Sequence, residues 1–169
     1  RLILSALQTF AGNGSSSYLR RIDAVSGGTI QLYGGTTSIT DASPIVIAAD
    51  TGTISVGALE FAAGATASLS GTITGNVANR GQMTIGSSPG LVTVSGDFTQ
   101  HATGALDVEI GGSAAGTEHD KLVVTGQANL DGTLNVSLIN SFDPSHRDIF
   151  EILSFASSNG TFATTTGMN

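Results

Sequence analysis

Residues 86–162 decide the fold, and from Gly86 to Phe162 they read GSSPGLVTVSGDFTQHATGALDVEIGGSAAGTEHDKLVVTGQANLDGTLNVSLINSFDPSHRDIFEILSFASSNGTF. Short segments of alternating apolar and polar residues follow one another, each closed by Gly, Asn, Asp or Pro, and none suits a helix. Such segments cannot bury their apolar faces alone, so we expect one strand–turn unit to stack on the next. The stretch therefore predicts an all-β chain.

The same pattern extends upstream as far as Ile22. Apolar residues alternate with polar ones between turn-forming residues in five further segments, at 27–35, 44–50, 52–64, 65–75 and 77–86. We therefore expect short strands over most of the chain.

A Gly-Thr-apolar tripeptide recurs along the chain. It begins at Gly28, Gly52, Gly71, Gly132 and Gly160. The first three copies follow one another at similar intervals, and the longer gap before the fourth is close to three such steps. A period of about 20 residues matches one turn of a right-handed parallel β-helix, in which each turn contributes two or three short strands. Gly would form each corner, and Thr would start the next strand.

A hairpin signal interrupts this repeat at Leu130-Asp131-Gly132-Thr133, because Asp-Gly favours a two-residue type I′ turn. The predicted fold is therefore an all-β, right-handed parallel β-helix (a solenoid), with a small antiparallel cap or sandwich as its expected ending. The bulky residues of Phe150–Phe155 would suit such a lid. We divide the chain into an N-terminal cap or docking segment at 1–25 and a β-solenoid at 26–169, whose capping strands begin at about residue 127.

Residues 1–21 differ from the remainder of the chain. The apolar residues from Leu2 to Phe10 fit either a short helix or a strand, and the loop GNGSSS, Gly12–Ser17, then breaks the pattern. Two interpretations stay open. The segment is a terminal cap or linker, or it docks onto a neighbouring subunit or another part of the parent chain.

Charge and composition narrow the class of protein. The net charge is −7 and the six basic residues are dispersed apart from the adjacent pair Arg20 and Arg21, which argues against nucleic acid and against an anionic membrane surface as partners. Cysteine is absent, and neither a signal peptide nor an apolar span of about 18 residues occurs. An acidic, Thr/Ser-rich, cysteine-free chain fits an extracellular bacterial protein. The start at Arg1 leads us to expect a processed or excised piece of a longer chain.

The blocks SPGLVTVSGDFTQ, GALDVEIGG, GTEHDKLVVTGQANLDGTLNVSLINSFDP and FEILSFASSNGTF, taken in this order, resemble the repeat of bacterial autotransporter passengers and related large β-helical surface proteins. The resemblance covers about residues 75–163. It implies a right-handed β-helix that is carried on or released from a Gram-negative cell and serves adhesion, aggregation or spacing. It implies no catalytic residues, because this repeat is a scaffold in proteins of many activities.

A serine motif and the three histidines are weak candidates for catalysis and for metal binding, respectively. Gly86-Ser87-Ser88-Pro89-Gly90 matches G-x-S-x-G, but a nucleophile elbow needs a following helix and a strand follows here. We expect a type II turn with Pro89-Gly90 at its centre. The histidines, His101, His119 and His146, are too far apart for metal spacing, and each is expected on a solvated loop.

The acidic residues Asp107, Glu109, Glu118, Asp120 and Asp131 form the densest charged group. Asp107 and Glu109 alternate with apolar residues and should point outward from one strand, while Asp120 should cap backbone N–H groups. We favour a solvated acidic face. Calcium held by these carboxylates is the first alternative, and a carbohydrate lyase that uses Lys121, the only lysine, is the second.

The sequence therefore predicts a non-enzymatic extracellular module, a stiff rod or fibre segment of a bacterial surface protein, with no catalytic residue, cofactor or metal. Its expected partners are further copies of itself, a host or neighbouring cell surface, or a polysaccharide; no nucleic acid is expected, nor membrane insertion by this segment. The alternative is a polysaccharide-binding or polysaccharide-degrading β-helix of the tailspike or lyase type.

Overall fold

A computed structural model describes residues 2–4, 9–10, 20–24, 28–40, 45–86 and 88–167. These residues form an all-β structure without a helix. The strands are β1 (Leu2–Leu4), β2 (Thr9–Phe10), β3 (Arg20–Asp23), β4 (Thr29–Ile39), β5 (Ile45–Phe61), β6 (Thr66–Asn79), β7 (Gln82–Ile85), β8 (Leu91–Ser95), β9 (Phe98–Gln100), β10 (Ala105–Ile110), β11 (Lys121–Leu130), β12 (Thr133–Leu138), β13 (Leu153–Gly160) and β14 (Thr164–Thr166).

Every ladder between these strands is parallel, and paired residues lie one pass of the chain apart, from Thr66 to Gln82 in a short pass and from Thr133 to Thr164 in a long one. The ladders build three stacks. The first stack contains residues 2–4, 29–32, 53–56, 71–74, 91–95, 121–124 and 153–155. The second contains 9–10, 36–39, 58–61, 76–79, 98–100, 127–130 and 157–160. The third contains 20–23, 45–49, 66–70, 82–85, 105–110, 133–138 and 164–166.

Several strands are longer than the expected short segments, because they bend from one stack into the next without losing their pairing. β5 contributes to all three stacks, and its register shifts mark the two bends. β6 and β11 each pair with β8 through one part of their length and with β9 through a later part. The strands β6, β8, β11 and β9 consequently form a closed ring of parallel pairing.

The core lies inside the three stacks and consists mainly of columns of aliphatic side chains, with Phe61 and Phe98 among its fully buried members. Successive side chains of a strand point to opposite faces, so every second residue is buried, as in β10, where Leu106, Val108 and Ile110 alternate with less buried neighbours. Because strands pair in register, a buried position in one pass lies on a buried position in the next. The result is buried columns such as Ile30–Ile54–Ile73–Val94–Val124. Short aliphatic residues fill this interior because each column admits one side chain per pass.

The passes differ in length mainly at the corner between the third stack and the first. Gly71 joins the two stacks directly within β6, whereas residues 111–120 and 139–152 form long loops at the same corner in the later passes. Stacking is preserved across this variation, since Thr93 still pairs with Val123, and Val123 with Ser154.

Two expectations about the fold are wrong. The antiparallel hairpin at Leu130–Thr133 is not formed, because β11 and β12 lie in different stacks and each pairs in parallel with other strands. Gly132 instead forms a corner with φ +65°, and the backbone N–H of Gly132 donates a hydrogen bond of 2.7 Å to Asp131 Oδ1. The Gly-Thr-apolar copies also do not share one corner: Thr29, Thr53 and Thr72 are paired in the first stack, but Thr133 belongs to the third.

The N-terminal segment contains strands rather than a helix, since β1, β2 and β3 each pair in parallel with the next pass. The predicted loop Gly12–Ser17 lies outside the described residues.

Candidate functional surface and polar groove

A regular set of hydroxyl groups covers the outer face of the first stack. Thr53, Thr72 and Thr93 are stacked in one column, and two residues further along each strand a second column forms. We call the set the hydroxyl array: Thr53, Ser55, Thr72, Thr74, Thr93 and Ser95. Within the described part of the chain their hydroxyls form no side-chain hydrogen bond, and all six are at least partly exposed. Hydroxyl groups therefore repeat at the ladder spacing of about 4.8 Å.

The outer face of the third stack carries a column whose polar groups are already paired with one another. Asp107 accepts hydrogen bonds of 2.7 Å from Gln82 Nε2 and Asn135 Nδ2. Thr166 Oγ1 donates to Asn135 Oδ1 at 2.7 Å. This column therefore stabilises successive passes and leaves fewer free donors and acceptors than the hydroxyl array.

A polar groove of about 440 Å³ lies beside this column. Its polar side chains are those of Thr84, Ser88, Asp107, Glu109, Asp120, Asn135 and Ser137. The structure thus brings together Asp107, Glu109 and Asp120 from the predicted acidic group and adds Ser88. Glu118 and Asp131 do not line the groove; Glu118 accepts a hydrogen bond from Ala114 N at 2.9 Å, and Asp131 binds its neighbouring backbone.

Asp120 connects the third-stack strand to the turn before β8. Its carboxylate is buried and accepts hydrogen bonds from Gly90 N at 2.6 Å and Glu109 N at 2.8 Å, which confirms the predicted role in capping backbone N–H groups. Burial raises the pKa of Asp120 to about 6, against the lowering effect of the two N–H donors. Both oxygens are occupied by the backbone, so this side chain holds the groove together.

Ser88 lies exposed in the turn that leads into β8. The residue that follows the turn begins a strand, so the helix of a nucleophile elbow is missing at this position. The predicted type II turn is wrong, because Gly90 lacks the positive φ that such a turn requires at its third position.

The three histidines occupy different environments. His146 is exposed, as expected, and His101 is half-buried at the end of β9, where burial and then the Arg80 guanidinium lower its pKa. His119 is buried, and its Nδ1 lies 3.1 Å from Gly112 O. The expectation of a solvated loop is therefore wrong for His119: the Phe150 ring packs edge-on against it at 5.5 Å. Sequence reasoning missed this contact because the two residues are far apart in the chain.

In the part of the chain that the structure describes, no group of three His, Cys, Asp or Glu side chains lies close enough together to hold a metal ion. Asp107 and Glu109 do point outward from β10 as predicted. Lys121, the residue considered for a lyase, forms an ion pair with Glu151.

A second, apolar cavity lies near the last pass and was not predicted. This terminal cavity has a volume of about 480 Å³ and is lined mainly by aliphatic and aromatic side chains, with Ser145, Asp148 and Thr165 as polar members. Its apolar members are Ile110, Leu134, Val136, Leu138, Pro144, Phe150 and Ile152. Leu138 and Phe150 are separated in the chain by most of the loop 139–152, so only the three-dimensional structure brings them together.

Among the described residues, no helix has the length and apolar character to span a membrane. Comparisons of the chain with family models, with curated proteins and with solved structures gave no match.

Proposed function

We propose that the chain is a right-handed parallel β-helix and serves as a stiff structural or adhesive segment of an extracellular bacterial protein. The three parallel stacks support the helical architecture, since each pass of the chain contributes one segment to each stack. Crossovers between parallel strands are right-handed in about 98% of cases, which supports the handedness. The order of sequence blocks that resembles autotransporter passengers agrees with this class of protein.

The observation that carries the proposed function is the repetition of outward polar positions from pass to pass. A continuous ladder of backbone hydrogen bonds gives a rod its stiffness, and the columns give it a surface that repeats along its length. The hydroxyl array, with Thr53, Thr72 and Thr93 in one column, offers unpaired donors and acceptors at regular intervals. Such a surface suits a partner that is itself repetitive, so we infer that a polysaccharide or a carbohydrate-coated cell surface is bound there.

The non-enzymatic character of the module is supported by the environment of Asp120, the carboxyl group with a raised pKa among the described residues. A general acid must reach its substrate, but Asp120 is 1% exposed and both of its oxygens accept backbone hydrogen bonds. Lys121 is engaged by Glu151. The acidic net charge and the absence of cysteine support an extracellular location.

The alternative function, a polysaccharide-processing β-helix, is favoured by one observation, the polar groove. Asp107, Glu109 and Ser88 face a space of about 440 Å³, which would admit a sugar ring. Asp107 already binds Gln82 and Asn135, which weighs against a catalytic role for it.

The proposed function is tested by measuring retention of the labelled chain on immobilised bacterial polysaccharides and on whole cells. The triple variant Thr53→Val, Thr72→Val and Thr93→Val keeps β-branched side chains but removes three hydroxyls of the array. We expect it to bind about tenfold more weakly, a loss of about 1.4 kcal/mol.

The matched control removes three threonine hydroxyls from the other two stacks, by Thr66→Val, Thr99→Val and Thr133→Val, which are half-buried to a similar degree. This control should bind like the wild type. Equal loss in both variants would contradict binding through the hydroxyl array, and release of shortened sugar chains during the assay would favour the enzymatic alternative.

A further inference from the structure

The loop 139–152 presents an arginine at the tip of a turn. Asp148 N donates a hydrogen bond of 2.9 Å to Ser145 O, and Ser145 N donates one of 2.8 Å to Asp148 Oδ2. These two bonds close the turn and place Arg147 at its outer end, where the side chain is exposed. Ile149, on the other side of Asp148, is 91% exposed. The Arg147–Asp148 peptide bond therefore lies on the surface of the molecule.

The chain around Arg147 is attached to the rest of the fold by few contacts. Among the described residues, neither the backbone nor the guanidinium of Arg147 forms a hydrogen bond or ion pair. The backbone of residues 143–149 likewise forms no hydrogen bond to a strand within the described part of the chain. A protease binds its substrate as an extended segment, so the segment must first leave the fold locally. Exposed loop tips meet this requirement at the lowest cost.

Arg80 is also exposed, but contacts with two other passes hold it in place. Its Nε donates a hydrogen bond of 2.7 Å to Glu60 Oε1, and its backbone N–H donates one of 2.8 Å to Phe61 O. Its carbonyl oxygen accepts one of 2.9 Å from Thr103 Oγ1. The short corner between β6 and β7 therefore cannot open without breaking contacts on both sides.

Lys121 is held more firmly still, because it begins β11. Its backbone N–H donates a hydrogen bond of 2.9 Å to Gly90 O, and its ammonium group pairs with Glu151. The strand that follows is paired with β8 on one side and β13 on the other. Of the three lysine and arginine side chains that the structure describes, Arg147 is therefore the one that a protease can reach.

Non-covalent contacts hold the chain on the far side of Arg147. β13 pairs with β11 from Leu153 to Gly160, and β14 pairs with β12. Leu122 N donates a hydrogen bond of 2.9 Å to Ile152 O. All of these contacts join the part of the chain after Arg147 to the part before it. A cut in the loop would therefore leave the two pieces joined by the ladders.

We propose that the Arg147–Asp148 bond is a processing site for a trypsin-like serine protease, and that the two pieces stay assembled after the cut. The acidic specificity pocket of such a protease binds an arginine side chain. Hydrolysis breaks the bond between the carbonyl carbon of Arg147 and the nitrogen of Asp148. One water supplies the hydroxyl group for the carbon and a hydrogen for the nitrogen. The proposal requires only the parallel ladders and is independent of what the rod binds.

The test is limited digestion of the intact chain with trypsin, followed over time by mass spectrometry. The rate at each bond is divided by its rate in the urea-unfolded chain, which removes the preference of trypsin for particular neighbouring residues. On this scale the bond after Arg147 should be cut at least about tenfold faster than those after Arg80 and Lys121. Arg147→Gln should abolish the fast cut, whereas Arg147→Lys should keep it. Arg80→Gln is the matched control and should leave the fast cut unchanged.

Size-exclusion chromatography of the cut chain tests whether the pieces stay together. They should elute together at the volume of the intact chain and separate in urea, and circular dichroism should keep its β-sheet signal after the cut. Equal normalised rates at the three bonds, or a fast cut that persists in Arg147→Gln, overturn the processing site. Separation of the pieces in native buffer overturns the retained assembly.

Discussion

Asp120 is a buried carboxyl group whose proton affinity depends on the folded structure. Burial raises its pKa from 3.8 to about 6. The folded chain therefore keeps this proton at a pH where the unfolded chain has lost it, and stability contributed by Asp120 falls as the pH rises from about 4 to about 6. The same residue accepts hydrogen bonds from the backbone N–H groups of Gly90 and Glu109 beside the polar groove.

We expect Asp120→Asn to remove this part of the pH dependence. The amide does not ionise, so the difference in unfolding free energy between variant and wild type should shift in favour of the variant between pH 4 and pH 6. Urea unfolding at a series of pH values measures it. Ser88→Ala, an exposed change in the same groove, should follow the wild-type profile. A shift in favour of the wild type would contradict the assignment.

Two buried amides, Asn79 and Gln100, should differ in how strongly substitution destabilises the fold. Asn79 Nδ2 donates to Gln100 Oε1 and to Ala105 O at 2.9 Å, and its Oδ1 accepts from Gly81 N. Gln100 Nε2 is buried without a partner among the described residues. Asn79→Ala should therefore cost about 1–3 kcal/mol. Gln100→Leu should cost less, because it removes a buried N–H group that has no partner, although it also leaves one N–H of Asn79 without its acceptor. Chemical denaturation of both variants checks this, and a larger loss in the Gln100 variant would contradict it.

At the scale of elements, the corners of the passes set the tolerance to substitution. Gly75 has φ +129°, and a Cβ on it would collide with the backbone of Val56 in the preceding pass. Gly64 has φ +83°, but no atom lies within 4 Å of the position of a Cβ. The two glycines share an unusual backbone conformation and differ in the space around them.

Gly64→Ala should cost about 1–2 kcal/mol through backbone strain alone. Gly75→Ala should cost more than about 3 kcal/mol, because the steric clash between passes adds to the strain. Urea unfolding of the two variants separates the effects. Equal losses would show that contact between neighbouring corners is not the limiting factor.

Sequence reasoning predicted the class of the fold because period-two alternation and glycine corners are local signals. Thr29, Thr53 and Thr72 were in the correct register, since each follows a glycine at the same corner. Gly132-Thr133 carries the same letters at another corner, and Asp131-Gly132 resembles a hairpin turn. A dipeptide does not determine which strand it will pair with. The parallel pairing of Thr133 with Ala105 therefore fixed the corner that Gly132 occupies and excluded the hairpin. Asp120 was identified as a capping residue, but the burial of His119 and the terminal cavity depend on distant contacts with Phe150.

For the whole molecule, nearest-neighbour stacking predicts unequal local stability. Each pass contacts only the passes on either side, so protection should be greatest in the middle and least at an end. Amide hydrogens of β6 and β8 should exchange much more slowly than those of β14, which pairs on one side only among the described strands. Hydrogen exchange followed by mass spectrometry at low concentration measures the gradient. Uniform protection along the chain would contradict independent stacking of passes.

The corner between the third and first stacks turns within β6 in one pass and through residues 111–120 and 139–152 in two others, while the ladders on either side keep their register. The length of the loop at this corner is therefore independent of the register in which the passes stack. Foreign peptides grafted there would be displayed at a fixed height along the axis, and natural selection can diversify the same site while the scaffold stays constant.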